Sequence, residues 1–121
     1  MKSPIHILFA LLLLLSCDKP LPTLEGINPS DWKDDKSGCT GARFSMAPTM
    51  IAQKEKLLSL TETQIISLLG KPDVNELYKR NEKFYRYYFT NGPGCKSNQS
   101  AQYMNLRFNA MGLMKEVVVV E

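Results

Sequence analysis

Thr61-Glu62-Thr63-Gln64-Ile65-Ile66-Ser67-Leu68-Leu69-Gly70-Lys71-Pro72-Asp73 carries a start signal, an apolar stripe and a stop signal in one short run. The Thr61 hydroxyl can cap a helix, and Gln64 three residues on can return the bond as a capping box. Leu60 before the cap and Ile65 after it suit a hydrophobic staple. Ile65, Leu68 and Leu69 fall on one helical face. Gly70 can take a left-handed turn, and Pro72 forbids continuation. A helix this short is not stable alone in water. It needs a sheet to lie on.

Strand signals follow Pro72. Val74–Lys79 and Lys83–Thr90 alternate and are joined by Arg80-Asn81-Glu82, where Asn suits a tight turn. In the second strand Tyr85, Tyr87 and Phe89 point one way, and this aromatic row is expected to face the helices. Asn91–Ser100 reads as a loop. Ala101–Asn109 and Leu113–Val120 form the last pair across Asn109-Ala110-Met111-Gly112. Met104, Leu106 and Phe108 make an inward row. The run Val117–Val120 does not reveal which face is buried. Upstream, Ser45–Leu58 reads as a second helix, expected to begin near Ala47 because Pro48 fits only a first turn. The expected fold is α+β: two short helices followed by an antiparallel meander of three to four strands.

The N-terminal part has another character. Ile5–Leu15 is an apolar run broken only by His6. It suits a secretory signal and is too short for a membrane span, which needs about 20 residues. It ends in Leu14-Leu15-Ser16-Cys17, the form of a bacterial lipobox, in which the Cys17 thiol takes a diacylglyceryl group and the chain is cut before it. The expected division is a signal peptide over 1–16, a lipidated N-terminus and flexible tether over 17–38, and a small α+β domain over 39–121. Pro20, Pro22, Gly26 and Pro29 argue for an extended tether. The location expected is the bacterial cell envelope, lipid-anchored, with the outer membrane favoured over the inner. Asp31, Asp34 and Asp35 do not have the spacing of a calcium loop. They read as a solvated turn with Trp32 docking on the domain.

Removing Cys17 from the count leaves Cys39 and Cys95, which in a secreted chain invite a disulfide. A thiol nucleophile needs a base, and the single histidine, His6, leaves with the signal peptide. A formal charge of +3, reduced by one when Lys2 is cut away, is too weak to argue for nucleic acid. Glu62, Asp73, Glu76 and Glu82 could in principle act as acid or base, and nothing in the sequence brings two together. No catalytic residue, no metal site and no cofactor is expected.

The order of elements behind a lipobox resembles the small bacterial outer-membrane lipoproteins of the SmpA/OmlA (BamE-like) family. The family phrase G-M-T-x-x-Q-V-x-x-x-L-G-x-P is matched by Thr61, Gln64, Ile65, Leu69, Gly70 and Pro72, and Phe84-Tyr85-Arg86-Tyr87-Tyr88 stands where the family has a Tyr-rich strand. The family's Gly is absent, and the Cys39/Cys95 pair is extra. The two-helix-plus-sheet unit recurs in β-lactamase inhibitor proteins. The resemblance implies a non-catalytic binding or scaffold module, serving outer-membrane assembly. An inhibitor or ligand-binding module for a secreted enzyme is the alternative. The expected partners are the membrane, through the lipid, and an envelope protein. The expected contact surface is Tyr78, Lys79, Arg80, Lys83, Tyr85, Arg86, Tyr87 and Tyr88, a Tyr/Arg mixture suited to interfaces.

The anchor has a direct test. Cys17→Ala should abolish incorporation of labelled palmitate and leave an uncut or soluble product; equal labelling of variant and native protein would remove the lipoprotein reading.

Overall fold

The computed structural model describes residues 20–121. The signal segment and Cys17 lie outside the described residues. Three helices precede a four-stranded antiparallel meander, α1 Pro29–Asp34, α2 Ala42–Ala52, α3 Glu62–Leu69, then β1 Val74–Leu77, β2 Lys83–Thr90, β3 Gln102–Phe108 and β4 Met114–Val120. The helices lie on one face of the sheet. The α+β order expected from the sequence is the one found, with an extra helix in front.

α3 forms as its sequence dictates. The Thr61 side chain accepts from Gln64 N at 3.2 Å, and Gln64 Oε1 accepts from Thr61 N at 3.0 Å. Leu60 and Ile65 are both fully buried beside this cap. Gly70 ends the helix at φ 79°, ψ −174°. That is a positive-φ extended conformation rather than the left-handed turn expected, and it is open essentially to glycine alone. The Tyr87 hydroxyl donates to the freed Gly70 carbonyl at 2.7 Å.

α2 begins five residues earlier than Ala47, and Pro48 lies inside it. Its N-cap is Gly41, which has no side chain to cap with. The Asp35 carboxylate supplies the cap from outside, accepting from Thr40 N at 2.7 Å and Arg43 N at 2.9 Å. An external cap leaves no local pattern in the sequence. Pro48 costs the helix one donor, and the helix stops a turn later, passing into a 3₁₀ turn over Lys54–Leu57.

The tether reading is corrected from Thr23 onward. Gln53 clasps the extended chain: Glu25 N donates to its Oε1 at 3.0 Å and its Nε2 donates to Glu25 O at 2.7 Å. Lys56 Nζ donates to Thr23 O at 3.1 Å, and Leu24 and Ile27 pack against the core. The prolines do keep this stretch extended, but a side-chain amide pairs with it as a strand edge would. The solvated turn expected at Ser30–Gly38 is instead α1, capped by Asn28 and opened by Pro29. Trp32 is fully buried.

The aromatic row Tyr85, Tyr87 and Phe89 does face the helices, with Met104, Leu106, Phe108 and Met114 beside it. Two bulges set the phase. In β2, Tyr88 pairs with Tyr103 and Thr90 with Gln102, so Phe89 is the extra residue. In β4, Glu116 pairs with Arg107 and Met114 with Phe108, so Lys115 is extra. The second bulge lets Met114 and Val117 share the inner face, and Val117 and Val119 pack on the core. The β1–β2 connection carries consecutive left-handed residues, Arg80 at φ 62° and Asn81 at φ 63°, inside the turn that Glu82 N closes on Lys79 O at 3.3 Å. In the β3–β4 turn Asn109 Oδ1 accepts from Met111 N and Leu113 N, both at 3.0 Å.

Cys39 and Cys95 form a disulfide with Cα atoms 5.2 Å apart. It holds the Lys36–Gly38 turn against the end of β2. Gly38 and Gly92 make that approach possible: a Cβ on Gly38 would stand 2.5 Å from the Phe89 carbonyl, and one on Gly92 2.6 Å from Tyr88 Cγ. The bridge closes a loop of 56 residues, a length at which chain entropy gives about 4 kcal/mol.

The capping box sets a measurable magnitude. Thr61→Ala should lower the unfolding free energy by about 1 kcal/mol. A urea titration with an unchanged m-value checks it.

Candidate functional site

The polar centre of the molecule was not visible in the sequence. Arg43 is 1% exposed and pairs with Asp73 at 2.7 Å. Its Nε donates to Trp32 O at 2.8 Å and its Nη1 also to Tyr88 O at 3.2 Å. Asp73 accepts further from Ser37 N at 3.0 Å and Tyr88 N at 2.8 Å. The guanidinium carbon lies 5.0 Å from the Trp32 ring centre. Burial alone would push the Asp35 carboxyl up; the N–H groups of Arg43 and Thr40 and the Arg43 charge outweigh it and hold the carboxyl below its usual range. Every charge here is answered by a partner. The cluster joins α1, α2, the α3–β1 link and β2, and its chemistry is structural.

The eight residues expected to form one contact surface are divided among four places. Tyr85 and Tyr87 are 4% and 0% exposed and belong to the core, so they are corrected from surface to interior. Desolvation, with the Glu62 carboxylate that accepts the phenol at 2.9 Å, raises the Tyr85 hydroxyl to about 12. Lys83 reaches the same Glu62 at 3.1 Å. Tyr78, Lys79 and Arg80 stand exposed at the β1–β2 turn. Arg86 and Tyr88 point to the opposite face, where Tyr88 is 7% exposed.

None of the described helices lies on that opposite face. Phe84, Arg86 and Tyr88 of β2 line up with Arg107, Asn105 and Tyr103 of β3, and these with Glu116, Val118 and Val120 of β4. Arg86 is held rigid. Its Nε donates to Asn105 Oδ1 at 2.8 Å, and its guanidinium lies 4.5 Å from the centre of the Tyr103 ring. Tyr103 packs edge-on against Tyr88 at 5.3 Å, and Tyr78 against Phe84 at 5.1 Å. Arg107 is neutralised between Glu82 at 3.3 Å and Glu116 at 3.7 Å. Arg86 has no carboxylate within ion-pair distance among the described residues. An immobilised arginine on an aromatic bed has already lost its side-chain entropy, and it suits recognition of a carboxylate. Tyr103 and Asn105 were missed because the β3 sequence was read only for its inward row. The alternation that places Met104 and Leu106 inside places these two outside.

The larger concavities lie elsewhere. A cleft of about 280 Å³ is lined by Lys33, Lys36, Ser37, Gly70, Lys71, Pro72 and Asp73. Lys33 is committed there, donating to Ser67 O at 3.0 Å. A groove of about 460 Å³ runs along α2 between Phe44, Pro48, Ile51 and Phe89. Among the described residues no three His, Cys, Asp or Glu side chains group as metal ligands, and no helix is long and apolar enough to cross a membrane.

Comparison with known proteins returned no match, neither to a family model, nor to a curated protein, nor to a solved structure.

The buried pair predicts a large effect from a small change. Asp73→Ala leaves Arg43 buried and unanswered and should cost about 3–5 kcal/mol in chemical denaturation. Asp35 titrates lower in the folded than in the unfolded chain, so its contribution is complete above about pH 4 and is lost as pH falls through its folded value. Asp35→Asn should lower stability at neutral pH and flatten the acid limb of a pH series; a limb of unchanged slope would count against this assignment.

Proposed function

We propose that the protein is a lipid-anchored lipoprotein of the bacterial cell envelope that acts as a non-catalytic binding or scaffold module, of the BamE-like kind, with an acidic protein surface as its partner. The observation that carries this reading is the sheet face that no described helix covers, where Arg86 is braced by Asn105 and Tyr103 and has no carboxylate within ion-pair distance among the described residues. The exposed Lys79 and Arg80 at the adjoining turn add charge of the same sign. Anchoring raises the effective concentration of such a module toward other envelope proteins. The outer membrane is the favoured location, and assembly of outer-membrane proteins is the favoured setting, both from the lipobox and the resemblance around Thr61–Pro72.

The strap adds a geometric feature to this reading. Thr23 is fixed to Lys56, and Cys17 is six residues before it. A chain of that length reaches at most about 20 Å. The anchor would therefore hold the domain at the bilayer surface rather than tens of ångströms away.

The test is mild cross-linking in cells, purification of a tagged copy from detergent-solubilised membranes and mass spectrometry. Reproducible capture of an outer-membrane assembly protein is the expected result. A paired Arg86→Glu, Tyr103→Ala variant that keeps its native circular dichroism should reduce that capture roughly ten-fold or more. Undiminished capture would show that the partner uses another face.

A further inference from the structure

A sheet in the order β1-β2-β3-β4 has two edges. β1 is four residues long, with Asn75, Glu76 and Leu77 exposed, and so short an edge gives another strand little to pair with. β4 is different. Its first residue is already paired on the outer side: Ser59 N donates to Met114 O, and Met114 N to Leu60 O, both at 2.8 Å. A bridge between Thr61 and Leu113 continues that cover. Beyond it the cover stops. From Glu116 to Val120, no backbone hydrogen bond outside the β3 ladder is made among the described residues. These five positions read Glu-Val-Val-Val-Val, and Val118 is 42% exposed. Four consecutive β-branched residues on an open edge favour pairing with another strand.

We propose that this edge pairs with the same edge of a second copy of the chain, antiparallel and centred on Val118. The charges and the cover select that register. With Val118 on the two-fold axis, Val117 lies opposite Val119 of the second copy, Glu116 opposite Val120, and Lys115 opposite Glu121. Both ends of the paired segment thus carry an opposite-charge pair, made twice by symmetry. Val117 and Val119 stack on the inner face beside the shallow cleft lined by Lys54, Glu55 and Leu58. Sliding the strands by two residues toward greater overlap sets Val120 opposite Met114, whose N–H and C=O are already bonded to Leu60 and Ser59. Sliding the other way separates Lys115 from Glu121. The register centred on Val118 uses every open position and meets no occupied one. The result is one continuous eight-stranded sheet with the two helical layers on the same side.

The experiment uses the full-length protein purified in detergent. Val118→Cys places a thiol opposite itself and should give a disulfide-linked dimer on a non-reducing gel after mild oxidation. Cys39 and Cys95 are consumed in their own bridge. Glu116→Cys and Val120→Cys should each fail to link alone and should link when mixed. Lys115→Glu should weaken the dimer roughly ten-fold in sedimentation equilibrium, and Lys115→Glu with Glu121→Lys should restore it. Four outcomes overturn the proposal: a monomer at every attainable concentration; linking by Glu116→Cys or Val120→Cys alone in preference to Val118→Cys; no rescue by the double charge exchange; or a Val118→Cys variant that links in cells only to a different envelope protein.

Discussion

The ion pair between Arg43 and Asp73 is the constraint on which the rest of the molecule depends. Arg43 comes from α2 and Asp73 from the link between α3 and β1, 30 residues later. Their remaining hydrogen-bonding capacity is spent on backbone groups of Trp32, Ser37 and Tyr88. Four segments are thereby fixed to one point. The hydrophobic core would tolerate many rotations of α1 and α2 over an aromatic sheet, because burial has no direction. A buried guanidinium with a short list of acceptors does not. Here the pair supplies a unique arrangement, at a desolvation cost that the surrounding N–H groups offset.

What was legible in the sequence is what local patterns encode. The α3 box, its staple, the meander and the inward rows of β2 and β3 each follow from residues within a few positions of one another. The cysteine pairing followed from arithmetic. What was not legible depends on partners far along the chain. Asp35 caps a helix whose own N-cap is Gly41, and no window around Ala42 contains that information. Gln53 turns a proline-rich leader into a strap by mimicking a peptide group. The bulge at Lys115 shifts the phase of the valine run, and a period read from four identical residues has no phase to begin with. Tyr85, Tyr87 and Arg86 alternate on one strand, so a surface that contained all three was excluded by the pleat itself. The outward residues of β2 and β3 were the better candidates, and alternation alone could have selected them.

The two proposed functions are divided by face. The inner face of the sheet is spent on the core. In this proposal the outer face, its arginine immobilised by Asn105 and Tyr103, serves recognition, and the open edge of β4 serves self-association. The two uses do not compete, because one lies across the strands and the other along the last of them. A continuous sheet formed through β4 would present two Arg86 sites on one surface, doubling the valency of each assembly without any new contact.

Trp32 has a role beyond packing. It is the single tryptophan of the chain, fully buried, with its indole N–H unpartnered among the described residues, Arg43 against its face and Phe89 edge-on at 6.0 Å. The fluorescence of the whole protein, when excited at the red edge of its absorption, therefore originates at the one place where four segments converge. The molecule carries its own optical gauge. Opening of the disulfide, whose Cys39 lies between Trp32 and Arg43 in the chain, can be followed at that junction in the native sequence and without a dye.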